Sequence, residues 1–236
     1  IVDSILHRLA PAKHIAVLAV DPTSPLSGGA LLGDRIRLSV LDDKSKSDSI
    51  YVRSVATRSS SGSIPSIIRD LASHLLVNNF DLVIIETVGA GQAEMRCAAI
   101  ANRIVVVEGP ARGDGIQAEK AGLLELADLI VVNKSDLDGS DKVVNDLTIS
   151  LGLTSDAPPI LKTSAVTGEG LDDLSELITR LDERTSSKRA RNRQQLLMAH
   201  ENILTANPHF EAVLDRMSEE GLTLDAALRE LNERPN

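Results

Sequence analysis

The chain has 236 residues, 42% hydrophobic and 25% charged, as expected of a soluble globular protein with one sizeable core and room for an appendage. The net charge of −9 argues against a general nucleic-acid binder, and no apolar run approaches the ~20 residues of a membrane-spanning helix. Aromatic residues make up only 1% of the chain, so the core must be aliphatic, which suits a parallel sheet covered by helices. The single cysteine, Cys97, fits a reducing compartment.

The apolar periodicity predicts helices and strands in alternation. Residues 1–9 have the pattern of the end of a helix, a short helix is expected around residues 31–41, and residues 42–49 are predicted to form an exposed polar loop. Ser63 is the expected N-cap of a helix whose first turn contains Pro65. Strands are predicted at residues 15–20, 50–55, 82–85, 104–107, 129–132 and 160–161. This rhythm predicts an α/β fold with a mostly parallel sheet and helices on both faces.

The composition changes near Arg184, where a short basic run from Lys188 to Arg193 precedes a segment that is helical throughout. We therefore predict a domain at residues 1–183 and a C-terminal helical extension at 184–236. The basic run has two interpretations, a solvated helix start or linker, or a contact with an acidic partner or a second protomer. The final helices are expected to pack against the first domain or a second subunit.

A base-recognition motif follows the predicted strand at residues 129–132, in the form Asn133-Lys134-Ser135-Asp136. A carboxylate at the position of Asp136 can accept two hydrogen bonds, from N1–H and the exocyclic amine of guanine. Adenine offers no such donor pair, so this carboxylate discriminates between the two bases. The stem of Lys134 can lie over the base, and Asn133 can tie neighbouring loops together.

A second element supports this interpretation one strand–helix unit later. The segment from Thr163 to Gly170 follows an apolar strand and leads into a helix with leucines at helical spacing. A turn at Ser164-Ala165 can offer a backbone N–H to O6 of guanine. The alternative is an ordinary strand-to-helix turn with glycine punctuation, but the order of the two motifs favours base recognition.

Carboxylates follow three of the predicted strands, at Asp21, Glu86 and Glu108. Ligands of open α/β sheets bind at the carboxyl ends of strands, and an acid-x-x-Gly sequence there can reach a Mg²⁺-bound water. Glu86 begins such a sequence, in which Gly89 can approach a γ-phosphate closely and Gln92 or Glu94 can orient an attacking water. The alternative, solvated helix caps, is weaker for Asp21 and Glu86 together. Glu108 is interpreted as structural.

A phosphate-binding loop of the form Gly-x-x-x-x-Gly-Lys-Ser/Thr occurs nowhere in residues 1–236. Such a loop lies between the first strand and first helix of P-loop proteins, and this sequence opens with a helix followed by a strand. We therefore expect a P-loop NTPase-type fold in which the first strand and the P-loop precede Ile1.

Four further segments make a family resemblance specific. They are residues 21–25 (Asp-Pro-Thr-Ser-Pro), 28–35, 86–94 (Glu-Thr-Val-Gly-Ala-Gly-Gln-Ala-Glu) and 125–128. The chain resembles the methylmalonyl-CoA mutase-associated GTP-binding proteins, also described as arginine/ornithine (LAO/AO) transport system kinases.

The resemblance implies a Mg²⁺-dependent GTPase that binds GTP and GDP and acts as a homodimeric chaperone. Its partner is the cobalamin-dependent methylmalonyl-CoA mutase, which such proteins load with cofactor, protect and reactivate in the cytoplasm or the mitochondrial matrix. The first switch of the family matches Asp21 and Asp34, near Mg²⁺, and the second matches Glu86. A further mobile segment matches residues 113–120.

The sequence departs from the family in three places, the missing P-loop, an Ala121 where the family has a second lysine after Lys120, and a missing tryptophan around residues 195–200. These departures keep open an alternative, a degenerate, non-catalytic scaffold of the same family. A third hypothesis, a kinase tied to basic amino-acid transport, is disfavoured because the sequence shows no phosphoacceptor chemistry. A metal site at His200 and His209 is disfavoured because further ligands are missing nearby.

Overall fold

The structure is a computed structural model that describes residues 1–22, 38–57, 67–87, 99–110, 118–152 and 156–233. Of residues 21, 22, 56, 57, 118–121 and 233 it describes only the backbone. The chain divides into two compact units, Ile1–Arg191 and Asn192–Asn236. The predicted boundary at residues 183/184 between a nucleotide-binding domain and a helical extension stays a prediction.

The first unit contains two parallel sheets of three strands each, in the orders β2-β1-β3 and β4-β5-β6. All six predicted strands are present: β1 is Ile15–Pro22, β2 is Ile50–Thr57, β3 is Leu82–Thr87, β4 is Val105–Glu108, β5 is Leu129–Asn133 and β6 is Ile160–Thr163. The parallel pairing with intervening helices confirms the predicted α/β class.

Helices connect the strands and continue beyond them. Among the described residues they are α1 at Val2–Leu9, α2 at Lys44–Ser47, α3 at Ile67–Val77, α4 at Ala118–Leu126, α5 at Ser140–Leu151, α6 at Leu171–Arg180, α7 at Thr185–Thr205, α8 at Phe210–Glu219 and α9 at Leu224–Glu233. The helix expected from Ser63 is described only from Ile67, because residues 58–66 lie outside the described ranges.

The core is aliphatic, as the composition predicts. Strands β1 and β5 are the middle strands of their sheets, and residues 15–20 and 129–132 are buried on both faces. The described strands β3 and β4 each have one neighbour, and their side chains are more exposed, up to 46% at Val107. Ile84 of β3 and Val105 of β4 pack against the same cluster, which Ile5 of α1 and the helix α6 complete.

Residues 38–49 differ from the predicted helix and polar loop. Residues 31–37 lie outside the described ranges, and Ser39–Asp42 forms a single 3₁₀ turn that buries Val40. The predicted polar loop contains the helical turn α2, because Asp43 caps it by accepting a hydrogen bond from Ser45 N at 3.0 Å. The hydrogen bonds from Ser45 lower the pKa of Asp43. Ser49 at the end of this segment is buried.

A buried carboxylate joins the sheet β4-β5-β6 to the start of α7. Asp128 is 1% exposed and accepts hydrogen bonds from Ile104 N at 2.9 Å and Arg191 Nη1 at 2.6 Å. Its other oxygen accepts from Ser187 Oγ at 2.6 Å and from Arg184 N at 3.1 Å. The carboxylate thereby holds the backbone before β4 and the first turns of α7 together.

This arrangement corrects the solvated interpretation of the basic run at one residue. Arg191 is 3% exposed and forms ion pairs at 2.6 Å with Asp128 and Glu183, so it lies in the interior of the first unit. Its neighbours Lys188, Arg189 and Arg193 are exposed, as the solvated interpretation requires. The hydrogen bond from Arg191 lowers the pKa of Glu183, and hydrogen bonds from Ser186 lower the pKa of Asp156.

The second unit is described through residue 233 and contains the end of α7 together with α8 and α9. Val213, Ala227 and Leu231 form its small core. Arg216 Nη1 lies 2.7 Å from Glu230 Oε2 and ties α8 to α9, and these hydrogen bonds raise the pKa of Arg216. None of the described helices is long and apolar enough to cross a membrane.

Candidate functional site

The predicted base-recognition residues come together at the carboxyl ends of β5 and β6. Asn133 ends β5, and its Oδ1 accepts hydrogen bonds from Thr163 Oγ1 at 3.4 Å and from Ala165 N at 3.2 Å. Ser135 N donates to Thr163 O at 2.9 Å. These contacts fix the two loops relative to each other, which is the tie predicted for Asn133.

Asp136 is exposed, and Ser164 Oγ donates a short hydrogen bond to its Oδ1. The direction of that bond is fixed, because the same hydroxyl accepts from Val166 N at 3.3 Å and Thr167 N at 3.1 Å and so must donate to the carboxylate. Ser164 itself is fully buried. A carboxylate held by a buried hydroxyl, with its remaining lone pairs towards solvent, suits a ligand with two adjacent N–H donors.

Lys134 adopts the left-handed backbone conformation, with φ of 65°, which a lysine rarely does without support. Its stem runs along Gly109, just after β4, where an added Cβ would lie 4.0 Å from Lys134 Cδ and 3.3 Å from Asn133 O. A side chain at Gly109 would crowd Asn133 O, whereas the distance to the lysine stem is that of an ordinary van der Waals contact. The sequence motifs give no signal for Gly109, because the contact depends on the pairing of β4 with β5.

The two carboxylates predicted for the phosphate end lie on neighbouring strands. Glu86 on β3 is in register with Ala19 on β1, so the backbone of Asp21 lies two positions further along β1. The side chain of Glu86 is half-buried. Both residues thus lie at the carboxyl edge of the sheet β2-β1-β3, where the sequence predicts phosphate and metal contacts.

Several predicted residues lie outside the described ranges, namely Asp34, Gly89 and Gln92, as do residues 113–117 of the segment expected to be mobile. Within the described ranges no group of three or more histidine, cysteine, aspartate or glutamate side chains is close enough to hold a metal ion. Glu108 ends β4 beside Gly109 and is half-buried.

These features define the class of protein. Parallel strands with helices between them carry the predicted base-recognition loops at two strand ends and acidic residues at two others, which is the plan of a P-loop GTPase fold. The solved structure of the hydrogenase maturation factor HypB of Helicobacter pylori has this fold. It aligns with 78% of this chain and 84% of its own chain, with a TM-score of 0.53 and 17% sequence identity.

The particular family follows from the sequence. Residues 1–220 match the family model of the methylmalonyl-CoA mutase-associated GTPase MeaB, and the chain belongs to this family. A protein of Pyrococcus horikoshii that is named as a GTPase, PH0274, is 42% identical over 171 residues, which are 70% of this chain. These matches confirm the resemblance that the motifs indicate.

The matched regions are only part of the relatives' chains. The aligned region covers 53% of the length of the Pyrococcus protein, so the chain spans about half of that relative. A fused isobutyryl-CoA mutase of Geobacillus kaustophilus is 40% identical over 142 residues, which are 59% of this chain and 13% of that protein. In that relative, a region similar to this chain is part of one polypeptide with a mutase.

Proposed function

We propose that this chain is the guanine nucleotide-binding part of a Mg²⁺-dependent GTPase that serves as chaperone to a cobalamin-dependent acyl-CoA mutase, methylmalonyl-CoA mutase or a close relative. The observation that carries the proposal is the hydrogen-bonded set of Asn133, Asp136, Ser164 and Ala165. A sequence motif alone does not require these four residues to form hydrogen bonds in this way, and guanine recognition gives each of them a role.

In this proposal Asp136 accepts hydrogen bonds from N1–H and the 2-amino group of guanine. Ser164 holds the carboxylate in place, and the backbone N–H of Ala165 donates to O6. Lys134 covers one face of the ring with its methylene stem. A purine that lacks either donor leaves a carboxylate lone pair unpaired, so the site prefers guanine to adenine and hypoxanthine.

The phosphate-binding end of the site is assigned from the chemistry of its side chains and from the position of two of them at one sheet edge. Asp21, Asp34 and Glu86 supply the carboxylate oxygens that Mg²⁺ prefers, and the described backbone places Asp21 and Glu86 at one sheet edge. When bound, Mg²⁺ neutralises charge that develops on the phosphates. Gly89 offers an N–H to the γ-phosphate, and Gln92 orients the attacking water.

Replacement of Asp136 by asparagine tests the guanine assignment. An asparagine can still accept from Ser164 and from N1–H, but its amide donates where the 2-amino group of guanine also donates. We expect guanine nucleotide affinity to fall about 100-fold and xanthine nucleotides, which have a carbonyl at that position, to bind instead. Calorimetric titration of the full-length protein with GDP and XDP measures both changes.

Asp138→Asn is the matched control, since Asp138 is exposed and two residues away. It should leave both affinities unchanged. Retention of the guanine preference by Asp136→Asn would show that another group reads the base.

The mutase partnership is supported by the family description and by the fused mutase of Geobacillus. The described second unit exposes apolar side chains on α7, at Leu196, Leu197 and Ile203, which suits a contact with a second protomer. We therefore assign a homodimer to the working chaperone.

The chaperone role is tested by following the loss of mutase activity during turnover, with and without the full-length protein. We expect protection with GTP, no protection by Asp136→Asn with GTP, and its recovery with XTP. Protection that needs no nucleotide and no hydrolysis would instead support the non-catalytic scaffold. The absence of any effect on the mutase would contradict the proposed partner.

A further inference from the structure

Glu169 connects the two loops that carry the predicted base-recognition residues. Its Oε2 accepts a hydrogen bond from Ser135 Oγ at 3.1 Å, which joins the loop after β6 to the loop after β5. Its backbone O accepts from Ser164 N at 3.0 Å within its own loop. Ser135 is the neighbour of Asp136 in the chain, and the hydroxyl of Ser164 holds the Asp136 carboxylate. One residue thus contacts Asp136 indirectly from two directions.

The backbone of Glu169 is held by its own loop. Gly168 and Gly170 on either side of it have φ of 88° and 67°, in the left-handed region that favours glycine. Glu169 N donates to Thr167 Oγ1 at 3.4 Å. The carboxylate that reaches Ser135 therefore starts from a defined position, and it can hold the loop after β5 in one place.

The hydrogen bond between Ser135 and Glu169 is charge-assisted. A carboxylate can only accept, so the hydroxyl of Ser135 donates, and a hydrogen bond to an ionised acceptor is about twice as strong as one between neutral groups. Lys162 on β6 is held mainly by another acid, since its Nζ donates to Asp141 Oδ1 at 2.7 Å. That hydrogen bond is the largest cause of the raised pKa of Lys162, and the charge of Glu169 contributes less.

We propose that Glu169 is a positioning residue of the base site, whose carboxylate holds Ser135 and thereby fixes the direction of the neighbouring Asp136 carboxylate. This inference rests on the proposed guanine site and adds to it a residue that acts on the base through Asp136. In that site guanine donates two hydrogen bonds to Asp136, whereas the hypoxanthine of IDP has only the N1–H donor. Two hydrogen bonds require a better-aligned carboxylate than one, so loss of the contact weakens GDP more than IDP.

The test compares GDP with IDP in the full-length protein by calorimetric titration. Glu169→Ala should weaken GDP about fivefold and IDP about twofold, so that the preference for GDP falls. Ser135→Ala should have the same effect, and the double variant should be no weaker than either single variant, because both substitutions remove the same hydrogen bond. Glu169→Gln should bind both nucleotides like the native protein, since the amide oxygen still accepts from Ser135.

Asp173→Ala is the matched control, because Asp173 is an exposed carboxylate in the first turn of α6, and it should leave both affinities unchanged. An unchanged preference for GDP after both Glu169→Ala and Ser135→Ala would overturn the proposal. Additive losses in the double variant would also overturn it, as would a Glu169→Gln variant as weak as Glu169→Ala, since the charge would then act and not the hydrogen bond. A native protein that does not prefer GDP to IDP would contradict the guanine site itself, and the role of Glu169 with it.

Discussion

Replacement of Asp128 by alanine is expected to lower the free energy of unfolding of the first unit by about 3–5 kcal/mol. The substitution removes one of the two carboxylates that lie 2.6 Å from the guanidinium of Arg191, which is 3% exposed, and leaves it with Glu183. It also removes the acceptor of the backbone N–H groups of Ile104 and Arg184, while Ser187 Oγ keeps Arg184 O at 2.9 Å as an acceptor. Buried donors that lose their acceptor incur their full desolvation penalty, and a buried cation incurs the largest part.

Urea unfolding at neutral pH measures this loss. The matched control is Asp172→Ala, which breaks an ion pair of Arg8 at 2.5 Å in which Asp172 is 88% exposed. The control should leave the unfolding midpoint nearly unchanged, because solvent screens an exposed pair. Equal losses in the two variants would show that burial of Asp128 does not set its contribution.

A double variant separates the charge pair from the other hydrogen bonds. Asp128→Leu combined with Arg191→Leu removes both charges and is expected to be much less destabilised than Asp128→Ala, since no buried guanidinium is left without the Asp128 carboxylate. If the double variant is as unstable as the single one, the lost contacts to Ser187 and the backbone dominate.

The sequence predicts the strands well because their signal is local. Most of the strands are short aliphatic runs between polar or glycine-containing segments, and each described strand lies within two residues of its predicted bounds. The exposure of the β3 side chains, in contrast, does not follow from the local sequence. The run Leu82–Val83–Ile84–Ile85 reads as a strand buried on both faces, whereas all six residues of β3 are only half-buried. Burial depends on which neighbours a strand has, and a local run carries no information on that.

The proximity of the proposed base-site residues could be predicted for a related reason. Asn133, Asp136 and Ser164 lie in short motifs at strand ends, and parallel order brings strand ends to one edge. The supporting residues could not be predicted in the same way. Thr163 and Gly109 act through backbone register between β5 and its two neighbours, which the motifs do not specify.

The buried position of Arg191 was missed because a basic run suggests a solvated surface. A signal does exist in the helical spacing of Ser187 and Arg191, which places two side-chain donors on one face of α7. Asp128, directly before the apolar residues 129–132 of β5, is the acid that these buried donors require. Polar periodicity on a helix is thus as informative as apolar periodicity when a buried acid is near.

Replacement of Gly170 by alanine is expected to destabilise the first unit by about 3 kcal/mol. Gly170 is the N-cap of α6 and has φ of 67°, which costs an L-residue about 1–2 kcal/mol. A Cβ there would lie 2.2 Å from Lys162 O of β6 and 3.3 Å from Lys162 C. Because the obstacle is strand backbone, relief requires α6 to move away from β6, which adds about 1–3 kcal/mol.

Gly168→Ala separates the steric part from the conformational part. Gly168 lies in the same loop with φ of 88°, but an added Cβ there would meet only Arg8 Nη2, at 3.8 Å, on a flexible side chain. Its expected loss is therefore about 1–2 kcal/mol, from the backbone conformation alone. Urea unfolding of both variants separates the two contributions. Equal losses of unfolding free energy would mean that the contact between a Cβ at residue 170 and Lys162 is relieved at no cost. A larger loss for Gly170→Ala would instead show that the close approach of α6 to β6 fixes the loop from Ser164 to Glu169, and guanine nucleotide affinity should then fall in that variant as well.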